Sequence, residues 1–117
     1  MPTLTTHVLD LAAGIPAVNV YIELYKCTEH DKSLVKTVYT NDDGRTDTPL
    51  LTAEEWQAGP YELVFHIGAY FEKNPSTLVD PPFLSSVPVR FSMQKDGGHY
   101  HVPLLASPWG YQVYRGS

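Results

Sequence analysis

Val18-Asn19-Val20-Tyr21-Ile22-Glu23-Leu24-Tyr25 alternates apolar and polar residues at a period of two. In an extended chain Val18, Val20, Ile22 and Leu24 share one face, so the stretch predicts a strand buried on one side. The same period recurs outward from it. Leu34 to Thr40 predicts a second strand, reached through a polar turn around Glu29 to Lys32. Tyr61, Leu63, Phe65 and Ile67 line one face of another strand, and Val87, Val89, Phe91 and Met93 one face of the next. His99 to Leu105 and Tyr111 to Ser117 predict two closing strands. Asn41-Asp42-Asp43-Gly44 is a turn signal, with Gly44 free to take positive φ. Lys95-Asp96-Gly97-Gly98 reads as a hairpin turn. One segment breaks the period. Thr52 can cap a helix, Glu55 completes a capping box, and Gly59-Pro60 stops the run, which predicts one short helix over Thr52 to Ala58. Phe71 to Ser85, rich in proline and polar residues, predicts a loop. Short strands, frequent turn signals and a single helix predict an all-β chain folded as an antiparallel β-sandwich.

The 117 residues suffice for one domain, expected to span 1–117. Hydrophobic residues make up 43% and charged residues 18%, which excludes a disordered chain. A formal net charge of −5 argues against nucleic acid as a partner, because no basic stripe is present to neutralise phosphates. Cys27 is the only cysteine, so no intrachain disulfide can form. Met1-Pro2-Thr3-Leu4-Thr5-Thr6 lacks the basic and apolar regions of a signal peptide, no apolar run reaches membrane-spanning length, and the final Arg-Gly-Ser is not a peroxisomal address. These features set the expectation of a soluble, cytoplasmic protein without a membrane partner.

The chemistry-bearing residues fall into place by the same period. His99 and His101 project to one face of their strand, with Tyr100 and Val102 on the other. Arg115 and Ser117 share a face of the last strand. If Tyr111 to Ser117 pairs with His99 to Leu105, a patch of His, Arg and Ser forms, and His7 and Arg45 are candidates to join it from afar. Taken singly, each residue has a simpler reading. His7, His99 and His101 serve as ordinary strand histidines, and Arg45 after Asp42-Asp43 as a surface ion-pair partner. A His-x-His pair is a weak zinc signal without a third ligand. Ser117 lies in no nucleophile elbow. His30 sits in a charged turn, and His66 receives no role.

Taken together, the segments resemble a known family. Leu4-Thr5-Thr6-His7-Val8-Leu9-Asp10, Gly14-Ile15-Pro16-Ala17, Thr40-Asn41-Asp42-Asp43-Gly44-Arg45, His99-Tyr100-His101-Val102-Pro103-Leu104-Leu105, Ser107-Pro108 and Tyr114-Arg115-Gly116-Ser117 occur in the order of the 5-hydroxyisourate hydrolases, the transthyretin-related enzymes of urate breakdown. The terminal tetrapeptide is the most specific of these, since it separates the enzymes from transthyretin proper, a hormone carrier. The resemblance implies a transthyretin-like sandwich of two sheets with one short helix, and a homotetramer, a dimer of dimers, with active sites at the dimer–dimer interface.

It also implies hydrolytic opening of 5-hydroxyisourate to 2-oxo-4-hydroxy-4-carboxy-5-ureidoimidazoline. His7, Arg45, His101 and Ser117 are then the catalytic residues, and His99, Tyr114, Arg115 and Gly116 bind substrate. A neutral imidazole suits water activation near pH 7, and a guanidinium suits the developing oxyanion. Ser117 and its carboxylate would position water or a histidine. Clustered cations should depress the histidine pKa values. The residue types leave open which histidine is the base. No cofactor is required; zinc on His7, His99 and His101 is the minor alternative. A thyroid-hormone-binding protein without catalysis is the second function class, and a purely structural sandwich the third.

Overall fold

A computed structural model describes residues 2–73 and 81–116. Among these residues the chain forms eight strands: β1 (Leu4–Asp10), β2 (Ile15–Pro16), β3 (Tyr21–Cys27), β4 (Lys32–Tyr39), β5 (Gly59–Phe65), β6 (Val87–Met93), β7 (Tyr100–Ser107) and β8 (Gly110–Val113). They make two four-stranded sheets, ordered β2-β1-β7-β8 and β4-β3-β5-β6. The sheets face each other across one core. Leu4 and Val8 of β1, with Tyr100, Val102 and Leu104 of β7, meet Ile22 and Leu24 of β3 and Tyr61, Leu63 and Phe65 of β5. Burying a Leu- or Phe-sized side chain contributes about 1.5–3 kcal/mol, which is why strand periodicity governs the architecture. No helix among the described residues is long and apolar enough to cross a membrane.

Four expectations are corrected. The helix is α1 (Ile67–Glu72), and Thr52 to Ala58 is a turn followed by irregular chain. The capping-box hydrogen bonds do form, with Thr52 N and Thr52 Oγ1 both donating to Glu55 Oε1 at 3.0 Å. They close one turn that does not propagate, because a cap satisfies end groups without providing packing for the next turn. In α1, Ile67, Gly68 and Phe71 supply the buried face. Gly68 lies against the backbone of Leu84 and Ser85, where a Cβ would come within 2.6–2.9 Å of their atoms. Ile67 therefore stays buried as the alternation requires, but as the first residue of a helix. The part of the expected Phe71 to Ser85 loop at 74–80 lies outside the described residues.

Secondly, Lys95 to Gly98 is not a hairpin turn. β6 and β7 belong to different sheets, and the segment carries the chain from one to the other. Tyr100 decides this: its ring packs under Gly97, where no Cβ fits, and its hydroxyl accepts from Gln94 N at 2.9 Å. Thirdly, pairing is antiparallel except between β1 and β7, which run parallel. The opening alternation also starts late. Asn19 takes φ 61, which turns the chain and leaves Val18 outside β3 while Ala17 and Val20 are buried. Thr40 holds that turn, donating to Ala17 O and accepting from Val20 N.

Candidate active site

The parallel β1–β7 pair places Thr5 opposite His101 and His7 opposite Pro103. Leu4, Thr6, Val8 and Asp10 of β1 point into the sandwich, which leaves Thr5 and His7 half-buried on the outward face. His101 emerges on the same face, and its ring lies nearly parallel to that of His99, 13° and 6.4 Å apart between centroids. Thr5 Oγ1 sits between them, 2.8 Å from His101 Nδ1 and 3.3 Å from His99 Nε2. Thr3 Oγ1 completes the row at His99 Nδ1.

The Asn41–Arg45 turn delivers the cation. Asn41 Oδ1 accepts from Asp43 N at 2.9 Å and from Arg45 N at 3.2 Å, closing the turn with its own side chain. Gly44 has φ 74 and its carbonyl accepts from Val8 N at 2.8 Å, and a Cβ at Gly44 would collide with Val8 O. The turn is thereby pinned to β1 beside His7. His7 Nε2–H donates to Asp43 O at 2.8 Å; a carbonyl only accepts, so the His7 proton is on Nε2 and the lone pair of the neutral ring on Nδ1. Arg45 is exposed and, among the described residues, has no carboxylate partner.

β7 and β8 pair antiparallel from Leu104↔Val113 to Ser107↔Gly110, and a separate bridge joins His101 to Gly116. Gly116 N donates to His101 O at 2.6 Å, and a Cβ on Gly116 would lie 2.9 Å from His101 Cδ2. Only glycine lets the chain end pass this close to the ring. Burial, then the charges of Arg45, His7 and His99, hold the His101 pKa below the ordinary histidine value. The outward face of this sheet thus offers a base kept neutral at pH 7, a second imidazole and an unpaired guanidinium.

Residues 4–116 match the HIUase/Transthyretin family. The 5-hydroxyisourate hydrolase of Ralstonia nicotianae is 51% identical over 117 residues, covering 100% of both chains. The chain belongs to the HIUase/Transthyretin family. Among solved structures, Klebsiella pneumoniae 5-hydroxyisourate hydrolase superposes with a TM-score of 0.78 at 32% identity, covering 100% of each chain. Sea bream transthyretin in complex with thyroxine superposes with a TM-score of 0.87 at 28% identity, covering 97% of this chain and 94% of the other.

Within this HIUase/Transthyretin chain the sequence-selected residues divide. His7, His99, His101, Arg45 and Gly116 gather at one face. Arg115 does not join them. Its guanidinium lies 4.0 Å over the Tyr100 ring, and its Nη2 donates to Gly97 O at 3.0 Å and His99 O at 3.2 Å. Tyr100 points inward, so Arg115 braces the His99 backbone from the opposite side of the sheet. Tyr114 is exposed and, with Arg115, Val113, Val89 and Phe91, lines an apolar groove of about 250 Å³ between the edges of the two sheets. Ser117 lies outside the described residues. His30 is exposed beside Glu29, and His66 pairs with Glu23.

Among the described residues no three His, Cys, Asp or Glu side chains are placed to share a metal ion. Both His99 ring nitrogens face threonine hydroxyls, and His7 Nε2 faces a carbonyl, so the three rings do not fit one zinc ion. Thr3 and Thr5 are the site residues that sequence reasoning missed. The signal was present: they stand four and two residues before His7, on its face of an alternating strand.

Proposed function

We infer that this chain is a hydrolase that opens the ring of 5-hydroxyisourate in urate degradation, with residues 1–117 acting as one domain. One observation carries the mechanism: a half-buried His101, held below its ordinary pKa, stands on an outward sheet face beside Arg45, which has no carboxylate partner among the described residues. His101 takes a proton from water as it attacks a ring carbonyl, a contribution of about 10²–10⁴-fold. Arg45 holds the planar imide and the oxyanion that develops on it. His7, with its lone pair on Nδ1, serves as the second proton carrier. His99 holds its place in the row of imidazoles, and Gly116 gives substrate and chain end access to the His101 ring. Tyr114 borders the site and Arg115 supports it through His99; Ser117 is the fourth catalytic candidate. The product is 2-oxo-4-hydroxy-4-carboxy-5-ureidoimidazoline, and no cofactor enters a step. The open face is closed by a second copy of the chain in a homotetramer built as a dimer of dimers.

The test is ultraviolet absorbance of freshly generated 5-hydroxyisourate with wild type, His7→Ala and His101→Ala. Acceleration by the wild type that both variants lose supports the reading. Decay no faster than the spontaneous rate overturns it, and tight thyroxine binding without ring opening would establish the carrier instead. The polar face built from His7, His101 and Arg45 favours the hydrolase.

A further inference from the structure

Thr5 has one hydroxyl proton and two imidazole neighbours. Its Oγ1 lies 2.8 Å from His101 Nδ1 and 3.3 Å from His99 Nε2, and His99 Nδ1 meets Thr3 Oγ1. A hydroxyl in this position donates to one ring and accepts from the other. With both rings neutral, the row therefore has two self-consistent directions. In one, His101 Nδ1–H donates to Thr5, Thr5 donates to His99 Nε2, and His99 Nδ1–H donates to Thr3. The lone pair of His101 then lies on Nε2. In the other, every proton is reversed and His101 carries N–H at Nε2.

We propose that Thr5 is a positioning residue that fixes the His101 tautomer, holding the proton on Nδ1 so that Nε2 is free to act as the base. The choice rests on the hydrolytic reading: of the two directions, only the one with the proton on Nδ1 leaves a lone pair on His101 Nε2, the nitrogen with no hydrogen-bond partner among the described residues. A ring nitrogen is protonated or free according to the hydrogen bond made by the other. On His101 the other nitrogen faces Thr5 alone among the described residues. Thr5 is suited to the task because its backbone is held against β7. Its backbone is in register with His101 in the parallel β1–β7 ladder, so hydroxyl and ring cannot drift apart without breaking the sheet. The neighbouring His7 is fixed with the opposite tautomer by Asp43 O, which gives the face two differently presented lone pairs.

The experiment pairs nitrogen-15 NMR of the imidazoles with steady-state kinetics on wild type, Thr5→Val and Thr5→Ser. Valine keeps the β-branched shape and removes the hydroxyl; serine keeps the hydroxyl. Above the His101 pKa, wild-type spectra should show His101 protonated on Nδ1, and Thr5→Val should lose that preference. Thr5→Val should lower kcat by about 10- to 100-fold with KM nearly unchanged, and Thr5→Ser should restore most of it. A wild-type ring protonated on Nε2 overturns the assignment whether or not the protein hydrolyses 5-hydroxyisourate. An active wild type whose Thr5→Val variant keeps its kcat overturns the positioning role. Inactivity of the wild type overturns the hydrolytic reading, and the spectra still decide the tautomer.

Discussion

His66, at the start of α1, and His101, on β7, are both half-buried histidines, and their surroundings set them to opposite uses. His66 Nε2 lies 2.6 Å from Glu23 Oε1, and its ring packs against Tyr21. That hydrogen bond is the main cause holding the Glu23 carboxyl below the ordinary range, with a further bond from Tyr25 Oη at 3.0 Å. Nearby, Glu62 is buried and takes Lys32 at 2.7 Å and Arg90 at 3.1 Å. On this face each charge has its complement. The face of β1 and β7 carries three imidazoles and a guanidinium, and no carboxylate of the described residues pairs with any of them. Hydroxyls and carbonyls, which hold a ring without charging it, take that place. Pairing stabilises a fold and occupies the group; leaving cations unpaired costs stability and keeps a base available.

The largest test of this contrast is His101→Asn, which keeps a polar side chain but removes the base. It should lower kcat for ring opening by about 10²–10⁴-fold, while His66→Asn leaves kcat unchanged; similar losses in both would erase the distinction. Next is Gly116→Ala, whose Cβ meets His101 Cδ2 at 2.9 Å, against Gly110→Ala, which has open space. Displacement of the ring should reduce kcat by about 10²-fold for the first and not the second, with urea midpoints reporting that both remain folded. On the paired face, Glu62→Gln should lower unfolding free energy by about 1 kcal/mol without touching kcat, measured by urea titration.

The smallest effect concerns pH. Arg45→Gln removes a cation that depresses His101, so the His101 pKa should move upward in an NMR titration; no movement would show that Arg45 is not felt there. The two faces also respond to acid at different pH. His101 is depressed in the folded chain, so the unfolded chain protonates first, from about pH 6.5 downward, and stability begins to fall there. Glu23 and Glu62 are likewise depressed, the latter chiefly by Lys32, so their stabilisation persists at neutral pH. It is lost only as pH drops below about 4 through their folded values. Glu62→Gln should therefore flatten the lower part of a stability–pH curve, and His101→Asn the upper part.

Much of this was legible along the chain because strand burial has a period of two. The β6 face of Val87, Val89, Phe91 and Met93 and the Gly44 turn follow from local pattern, whereas the β7–β8 pairing stood only as a condition and joins Leu104–Ser107 to Gly110–Val113. The helix did not, because Thr52 and Glu55 make the same capping hydrogen bonds whether or not a helix follows. Gly68 disfavours one locally, and α1 exists because Ile67 and Phe71 find a surface to cover. His7, His101, Arg45 and Gly116 were identifiable as residues, but Arg115 was misplaced on their face. Past Val113 the ladder is interrupted before Gly116 rejoins it, so strict alternation no longer tells which way a side chain points.

By itself, the sequence determined that residues two apart would segregate into a buried and an outward face, since that follows from extended backbone and the cost of exposing apolar surface. It also determined which residues could do acid–base chemistry, since side-chain type fixes pKa range and hydrogen-bonding capacity. Only the tertiary structure decided that β1 and β7 run parallel with Thr5 against His101, that Lys95 to Gly98 passes between sheets, and that Arg115 turns to Tyr100. The first depends on contacts between segments some ninety residues apart, as in the Thr5–His101 pair with a separation of 96, and the other two on side-chain packing around Tyr100. At such separations the chain's local preferences are silent, and packing together with hydrogen-bond satisfaction selects the arrangement.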